Sequence, residues 1–442
     1  MDLYTEEASA TDDVGINDGD IQMFQKTPVG STLREFGQNS NDESLNRPVK
    51  IELNLISAQV DDIPAISGYK YVIESCLETA IKRKSKTAEE FFKNAKKILG
   101  KDKIDILTIS DSGTKGAGGD FKQGGKFYTL LVSKGQTEKP DVYSAGSFGI
   151  GKNASIAGSE LRLVFYSSMF EQEGQSKFYC MGKSVLTNWI NENDSRRRER
   201  VYFTKDGPDF LPCKTQAGLP EWLKKDEMGL KVSVVAPKTE LKADWIDSYV
   251  ANLICNFFVA IFEEDLEFSL DQGRVQINKA TVLDMFDKEK VIDAATKAGN
   301  EDFLSWAHAC SVALAAHQFD KKIIEIKDLG EFEILIKVAE GLPKKVFFIR
   351  NGMFITDHLA RFGAPLTRFP NTKEFVVIVR PKTIDAQSSS TLKRMENPEH
   401  NEFSTGFISD SDEREKLNIA MKKLDKSIRA IIKEYAAIEV SA

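Results

Sequence analysis

The chain has 442 residues, 41% of them hydrophobic and 29% charged, with a formal net charge of −7. That length suits two domains with a helical tail, and the charge balance argues against a protein coated in basic surface for nucleic acid. Five scattered cysteines, without CxxC spacing, argue against a disulfide framework or a cysteine zinc site and fit a reducing compartment.

Residues 1–25 are acidic and polar, which predicts either disorder or a flexible arm that orders on a partner. They hold no basic segment followed by an apolar core, so no signal peptide is expected. "STLREFGQNSNDES" reads as a helix capped at Ser31 or Thr32 and reaching Glu43, and "PVKIELNLIS" as a strand. The stretch from Gly68 to Gly100 has helical periodicity throughout, and "KIDILTIS" is a strand that runs into "DSGTKGAGG". Residues 114–151, rich in Gly, Lys and Ser, predict a long mobile loop, a length that within a domain usually signals function. "ELRLVFYSS", "KFYCMGKS" and "GLKVSVVAP" follow as strands of a mainly antiparallel sheet. Between them the basic run Arg196, Arg197, Arg198 and Arg200 reads as a solvated loop.

A second unit begins near Lys242. "DWIDSYVANLICNFFVAIF" is a core helix, short of the ~20 apolar residues of a membrane span. "LEFSLDQGRVQIN" is a hairpin around Gln272-Gly273, and "FEILIKV", "KVFFIRNGMFIT" and "EFVVIVRP" are strands. The terminal helix carries an apolar stripe at Leu417, Ala420, Met421, Leu424, Ile428 and Ile431. The expected units are an arm (1–25), an α/β domain (26–241) with the loop 114–151, a second α/β domain (242–405) and a C-terminal amphipathic helix (406–442). A cytoplasmic protein without membrane contact is expected.

Three fragments carry chemistry. "SAGSFGIGKNASIAG" nearly matches a P-loop at Gly146, Gly151 and Lys152, but Asn153 lacks the metal-binding hydroxyl and the preceding "KGQTEKPDVYSA" is a poor buried strand. The same residues also make G-x-x-G-x-G at Gly146, Gly149 and Gly151. Upstream, Glu35 and Asn39 stand one helical turn apart with Asp42 following, a spacing that lets an amide oxygen bind Mg²⁺ while a carboxylate polarises water. A solvated polar face has the same spacing. "ISDSGT" ends a strand on Asp111 with Gly113 behind it, which suits either recognition of an adenine amine or an Asx-turn.

Read in order, "REFGQNSND" (34–42), "ISDSGTKGAGG" (109–119) and "GSFGIGKNA" (146–154) resemble the motifs of the GHKL ATPase superfamily, which includes gyrase B subunits, MutL proteins, the large heat-shock chaperones, sensor histidine kinases and MORC ATPases. The resemblance implies an α+β fold: a two-layer α/β sandwich ATP-binding domain of the Bergerat type, then a transducer domain of ribosomal-protein-like fold. It implies Glu35 as general base and Asn39 as Mg²⁺ ligand, with Asp42 beside them. Asp111 would read adenine over Gly113 and Gly116. The loop of Gly146, Ser147, Phe148, Gly149, Ile150, Gly151, Lys152 and Asn153 would be a lid whose backbone N–H groups cradle the phosphates. Two departures stand out. Lys115 intrudes before Gly116, and Gly229 is followed by Leu230 where the family has Thr, leaving that hydroxyl to Thr108, Ser233 or nothing.

None of the four histidines (His308, His317, His358, His400) precedes the ATP motifs, which sets the sensor kinases aside. The layout resembles the gyrase, MutL and MORC branch, whose transducers supply a lysine to the γ-phosphate. Lys393 fills that place or is an exposed loop lysine, with Lys382 as second choice. "FFIRNGMFIT" and "LKRMENPEHNEF" resemble segments of bacterial MutL- or MORC-like ATPases from defence loci that act beside separately encoded nucleases. Arg350-Asn351-Gly352 reads as a tight polar turn and His400 as a polar loop residue. The resemblance implies ATP and Mg²⁺ as cofactors, a homodimer formed on ATP binding, and an effector protein such as a nuclease, or DNA, as partner. A chaperone-type ATPase and a non-hydrolysing adaptor are the alternative readings.

Overall fold

The structure is a computed structural model that describes all residues except 18, 23, 25–27, 133–152, 208, 239–241, 243, 367, 384–385, 398 and 439–442. The first part of the chain runs β1 (Asp2–Tyr4), α1 (Gly19–Gln22), α2 (Pro28–Asp42), β2 (Val49–Gln59), α3 (Ile66–Lys82), α4 (Lys86–Leu99), β3 (Lys103–Ser112), α5 (Lys126–Leu131), α6 (Asn153–Ala157), β4 (Leu163–Gln172), β5 (Gln175–Val185), β6 (Trp189–Ile190), β7 (Arg196–Arg197), β8 (Arg200–Thr204) and β9 (Gly229–Val235). The second runs α7 (Trp245–Phe262), β10 (Leu266–Leu270), β11 (Val275–Ile277), α8 (Val282–Phe286), α9 (Glu289–Lys297), α10 (Glu301–Ala315), β12 (Asp320–Ile326), β13 (Gly330–Val338), β14 (Lys345–Arg350), β15 (Met353–Thr356), β16 (Phe375–Pro381), α11 (Gln387–Met395) and α12 (Ser411–Ala436).

Nine strands form one sheet in the order β1-β8-β5-β4-β9-β3-β2-β10-β11. Strand alternation feeds two apolar layers. Ile104, Ile106, Leu163 and Phe165 pack under α3 and α4. Leu107, Ile109, Val164 and Tyr166 face α1, α2, α5 and α6. Asp111 shares the parity of Leu107 and Ile109, so β3 delivers its carboxylate to the face that carries α2.

Several expectations from sequence are revised. Helix α2 starts at Pro28, before the proposed caps Ser31 and Thr32. The long helical pattern breaks into α3 and α4 at Lys84, whose φ is 56°. The arm is not an unstructured segment: β1 pairs antiparallel with β8, and Ile16, Ile21 and Phe24 are buried. Its acidic residues account for the basic run, with Arg196 on Asp13, Arg197 on Glu7, and Arg198 on Glu6 and Asp12. The described start of the 114–151 segment is also folded, since a 3-10 turn (Phe121–Gln123) and α5 seat Phe127 and Leu131 in the core. Residues 266–277, counted with the second domain from sequence, add β10 parallel to β2 and so extend the first sheet.

The second sheet has the order β12-β13-β16-β14-β15. Phe347 meets Phe258 of α7 and Phe354, whereas Phe348 turns to Phe403 on the opposite face, beside α11. Helix α7 touches α2, β10 and β15, so one continuous apolar core spans both sheets. It is long and apolar enough to cross a membrane by composition, and most of it is buried within the protein. Helix α12 lays the predicted stripe on β12 and β13. All five cysteines are buried and none is in a disulfide.

Phe127 is wholly buried against the rings of Phe121 and Tyr179. Phe127→Ala therefore lowers unfolding free energy by about 3–5 kcal/mol in urea titrations; a loop without packed structure would give no change.

Candidate active site

Helix α2 positions the site, and its seat on α7 is set at Gly37. A Cβ there would lie 2.5 Å from the Phe257 ring, so only glycine allows this approach. One side of α2 then meets β3. Ser40 Oγ donates to Asp111 Oδ2 (2.7 Å), while Thr114 Oγ1 and the Leu230 N–H donate to Oδ1, each at 2.8 Å. Gly229 (φ 147°) floors this carboxylate, since a Cβ on it would stand 2.2 Å from Asp111 Oδ1. Burial pushes the Asp111 carboxyl up, with Ser40, the Leu230 N–H, Lys225 and Thr114 opposing. Three donors on a group with about four acceptor positions leave room for one more.

The hydroxyls on Asp111 are thus Ser40 and Thr114. Thr108 instead donates to the Asn54 carbonyl and Ser233 to that of Trp222. Lys225 was not anticipated. Its Nζ donates to the Asp111 carbonyl (2.5 Å), and burial, opposed by Asp111, brings it down to about 8. Beyond Asp111 the chain is laced to the end of α2. The Gly113 carbonyl accepts from the N–H groups of Leu45 (2.7 Å) and Asn46 (3.1 Å), and the Lys115 N–H donates to the Glu43 carbonyl (3.0 Å). The intruding Lys115 is therefore part of this lacing. Gly116 then reaches β4, where the next N–H, of Ala117, donates to Ser168 Oγ (2.8 Å).

The other side of α2 carries the acid–amide pair. Asn39 Nδ2 donates to Glu35 Oε1 (2.9 Å), which turns the amide oxygen away from the carboxylate. A single amide oxygen fits Mg²⁺, which takes few protein ligands and fills its sphere with phosphate and water. Among the described residues no group of three or more His, Cys, Asp or Glu forms a protein-only metal cage.

The second sheet and the segment after α11 close over this face. Lys393 Nζ donates to Asp42 Oδ2 (2.8 Å) and Asn351 Nδ2 to Oδ1 (2.6 Å), with Arg350 Nη1 3.4 Å away. Burial would raise the Asp42 carboxyl, but Arg350, Lys393 and these hydrogen bonds outweigh it and hold it at about 2. Arg350, on the Phe348 face of β14, pairs through Nε with Glu396 Oε1, and Gln38 Nε2 donates to Glu396 Oε2 (3.1 Å). Arg350–Asn351–Gly352 is a tight turn as expected, yet Arg350 is only 2% exposed. His400 lies in a loop as expected, but not at the surface. It is buried, with Nδ1 2.7 Å from Glu396 Oε2 and Nε2 3.3 Å from Glu35 Oε2. Burial would lower its pKa, but its bonds to Glu35 and Glu396 hold it up at about 8. Arg34 donates to the His400 carbonyl and to Asn256 Oδ1.

Glu35, Asn39, Asp42 and Lys393 are thus brought to one side of α2, and Asp111, Gly113 and Gly116 to its neighbouring end. Asn153 opens α6, which packs on α2. Gly146, Ser147, Phe148, Gly149, Ile150, Gly151 and Lys152 lie outside the described residues. Lys382 pairs with Glu331 and does not reach α2. Sequence reasoning missed Ser40, Thr114, Lys225, Glu396 and His400. Ser40 and Thr114 lie inside the quoted motifs, and their hydroxyls were the available signal.

The Asp42 carboxyl falls from 3.8 to about 2 on folding. Its contribution to stability, on the order of 2 kcal/mol, is present above pH 3.8 and is lost as pH falls through about 2. Urea midpoints of wild type and Asp42→Asn therefore differ at pH 7 and converge between pH 4 and pH 2.

No family model and no curated protein matches the chain. Among solved structures it is similar to the ATPase region of Saccharomyces cerevisiae topoisomerase II bound to dexrazoxane, at 10% identity over 90% of this chain and 86% of that one, TM-score 0.36. It is also similar to the ATPase and transducer domains of topoisomerase II from Balamuthia mandrillaris (10% identity, 97% and 93% covered, TM-score 0.35). A third is the gyrase B-subunit from Myxococcus xanthus (10% identity, 93% and 91% covered, TM-score 0.36). The likeness is too loose to assign any residue a role, which rests instead on the contacts within this chain.

Proposed function

We propose that the chain is an ATP-binding and hydrolysing enzyme of the GHKL type that works as a nucleotide-gated dimeric clamp. The observation that carries this reading is the single helix α2, which offers Ser40 to a buried Asp111 and a Glu35–Asn39 pair to the phosphate end of the same site. In this mechanism Asp111 accepts a hydrogen bond from the adenine amine at its remaining acceptor position. Asn39 presents its amide oxygen to Mg²⁺, which when bound neutralises charge on the phosphates. Glu35 takes a proton from the attacking water; each carboxylate oxygen keeps a free lone pair despite its protein partner. Lys393, one-fifth exposed and paired with Asp42 on α2, would turn from that carboxylate toward a γ-phosphate. The 114–151 lid, whose glycine-rich part lies outside the described residues, would close over the phosphates on ATP binding, and the closed lids with the N-terminal arm would build the dimer interface.

We place this ATPase in a multi-protein bacterial anti-phage or DNA-defence system, with a separately encoded effector such as a nuclease as partner, and DNA as a second candidate. That step is supported by the resemblance of "FFIRNGMFIT" and "LKRMENPEHNEF", the two segments that dock on α2 through Arg350, Asn351, Lys393 and His400.

Steady-state ADP release, run across protein concentrations with and without DNA, tests the proposal. Glu35→Ala keeps nucleotide affinity and loses about 10²–10⁴-fold in turnover. Asp111→Asn loses at least about tenfold in ATP affinity, having lost a charged acceptor. Unchanged affinity in that variant removes the adenine assignment, and a rate per chain that stays flat with concentration removes the dimer.

A further inference from the structure

We propose that His400 is a positioning residue for Glu35, so that the hydrolytic carboxylate is held from outside its own domain; this rests on the role of Glu35 proposed above. The geometry is specific. Glu35 Oε1 is held by Asn39 of the same helix, and its Oε2 faces His400 Nε2. The opposite ring nitrogen of His400 faces Glu396 Oε2. An imidazole between two carboxylates meets both with N–H donors only when doubly protonated, so the ring acts as a charged strut.

The strut is itself anchored. Glu396 is fully buried and tied to Arg350 and Gln38, and the His400 carbonyl accepts from Arg34. Two of these anchors, Arg34 and Gln38, belong to α2. The ring therefore registers the segment after α11 against the helix that carries the base. With both oxygens held, the carboxylate cannot rotate about its terminal bond, and its free lone pairs point along fixed directions. A base that must meet one water beside the phosphates gains from that restriction, because a misplacement near 1 Å costs about 100-fold in rate. When the second sheet lifts away from α2, Glu35 loses this hold while Asn39 remains. The position of the second sheet therefore reaches the chemical step through this side chain.

Two substitutions separate positioning from packing. In His400→Asn the side-chain amide takes the place of Nδ1, keeping the Glu396 contact, and asparagine tolerates the residue's φ of 52°. In His400→Gln the amide reaches the place of Nε2 and keeps the Glu35 contact. The assay is ATP turnover beside equilibrium binding of a fluorescent ATP analogue, on the full chain, with urea unfolding of both variants. His400→Asn is expected to fold, to bind nucleotide as wild type does, and to lose about 100-fold in kcat. His400→Gln is expected to restore most of that rate. Wild-type kcat in His400→Asn, or rescue by Asn and not by Gln, overturns the proposal. So does a loss of turnover that follows unfolding in both variants. Glu35→Ala is measured alongside: if it retains full turnover, the hydrolytic reading of α2 fails, whereas if it is inactive while His400→Asn is not, only the positioning role fails.

Discussion

Removing Arg350 and Glu396 from water is costly, and the rest of the site depends on how that cost is met. Both side chains are almost fully buried, at 2% and 0% exposure, and each is the other's charge partner. Separating such a pair leaves an uncompensated charge in a low-dielectric interior, a penalty of about 3–5 kcal/mol, whereas the intact pair adds little net stability. The pair therefore acts as a registration device. Arg350 comes from the end of β14 and Glu396 from the end of α11. Around them Gln38 and Asp42 of α2 supply further hydrogen bonds. A sliding motion between the second sheet and α2 disturbs all four groups together. That makes a discrete docked arrangement favourable over a continuum of partly docked ones.

The two ends of the site are built on different principles. The Asp111 end is closed by the first domain alone, from β3, β9 and α2, with Gly229 permitting contact that any side chain would block. Its geometry is as rigid as the sheet. The Glu35 end is shared, because Lys393, Asn351 and His400 all arrive from beyond β14. In the proposed mechanism nucleotide recognition can thus stay constant while the Glu35 end responds to the second sheet. The single apolar core around α7 gives that response a mechanical route.

Much of this was legible in the sequence. Strand alternation, the α7 core helix, the hairpin at Gln272-Gly273 and the α12 stripe are local patterns set by burial, and they appear where periodicity placed them. Glu35, Asn39 and Asp111 were visible because motif spacing along α2 and β3 is also local. What escaped was long-range. Nothing within "LKRMENPEHNEF" signals that His400 will lie against a residue 365 positions earlier. Nor does "FFIRNGMFIT" say that a turn arginine is buried, since the turn chemistry and the burial are decided by different partners. The arm was misjudged for a related reason. Its acidic composition suggests disorder in isolation, but Arg196, Arg197 and Arg198 on a distant hairpin neutralise it. Those ion pairs are largely exposed and individually weak, so the β1–β8 ladder and the burial of Ile16, Ile21 and Phe24 do most to hold the arm.

Asp42 differs from Glu396 in a way that bears on how the shared end works. Glu396 has two cationic partners, Arg350 and the His400 ring, and both are buried and shared with a second carboxylate. Asp42 has two cations and an amide: Lys393, Arg350 and Asn351. Of these, Lys393 is the most exposed, at 20% of its side chain, and it sits on a flexible four-carbon stem, whereas Arg350 is locked by Glu396. Asp42 can therefore release Lys393 and remain compensated. A triphosphate carries more negative charge than one carboxylate and competes for the same ammonium group. In the proposed mechanism the lysine moves and the carboxylate stays, so the α2 register that Arg350 and Glu396 enforce survives the exchange. A lysine whose departure orphaned a buried acid would instead couple nucleotide binding to undocking of the second sheet, and the surplus compensation at Asp42 separates those two events.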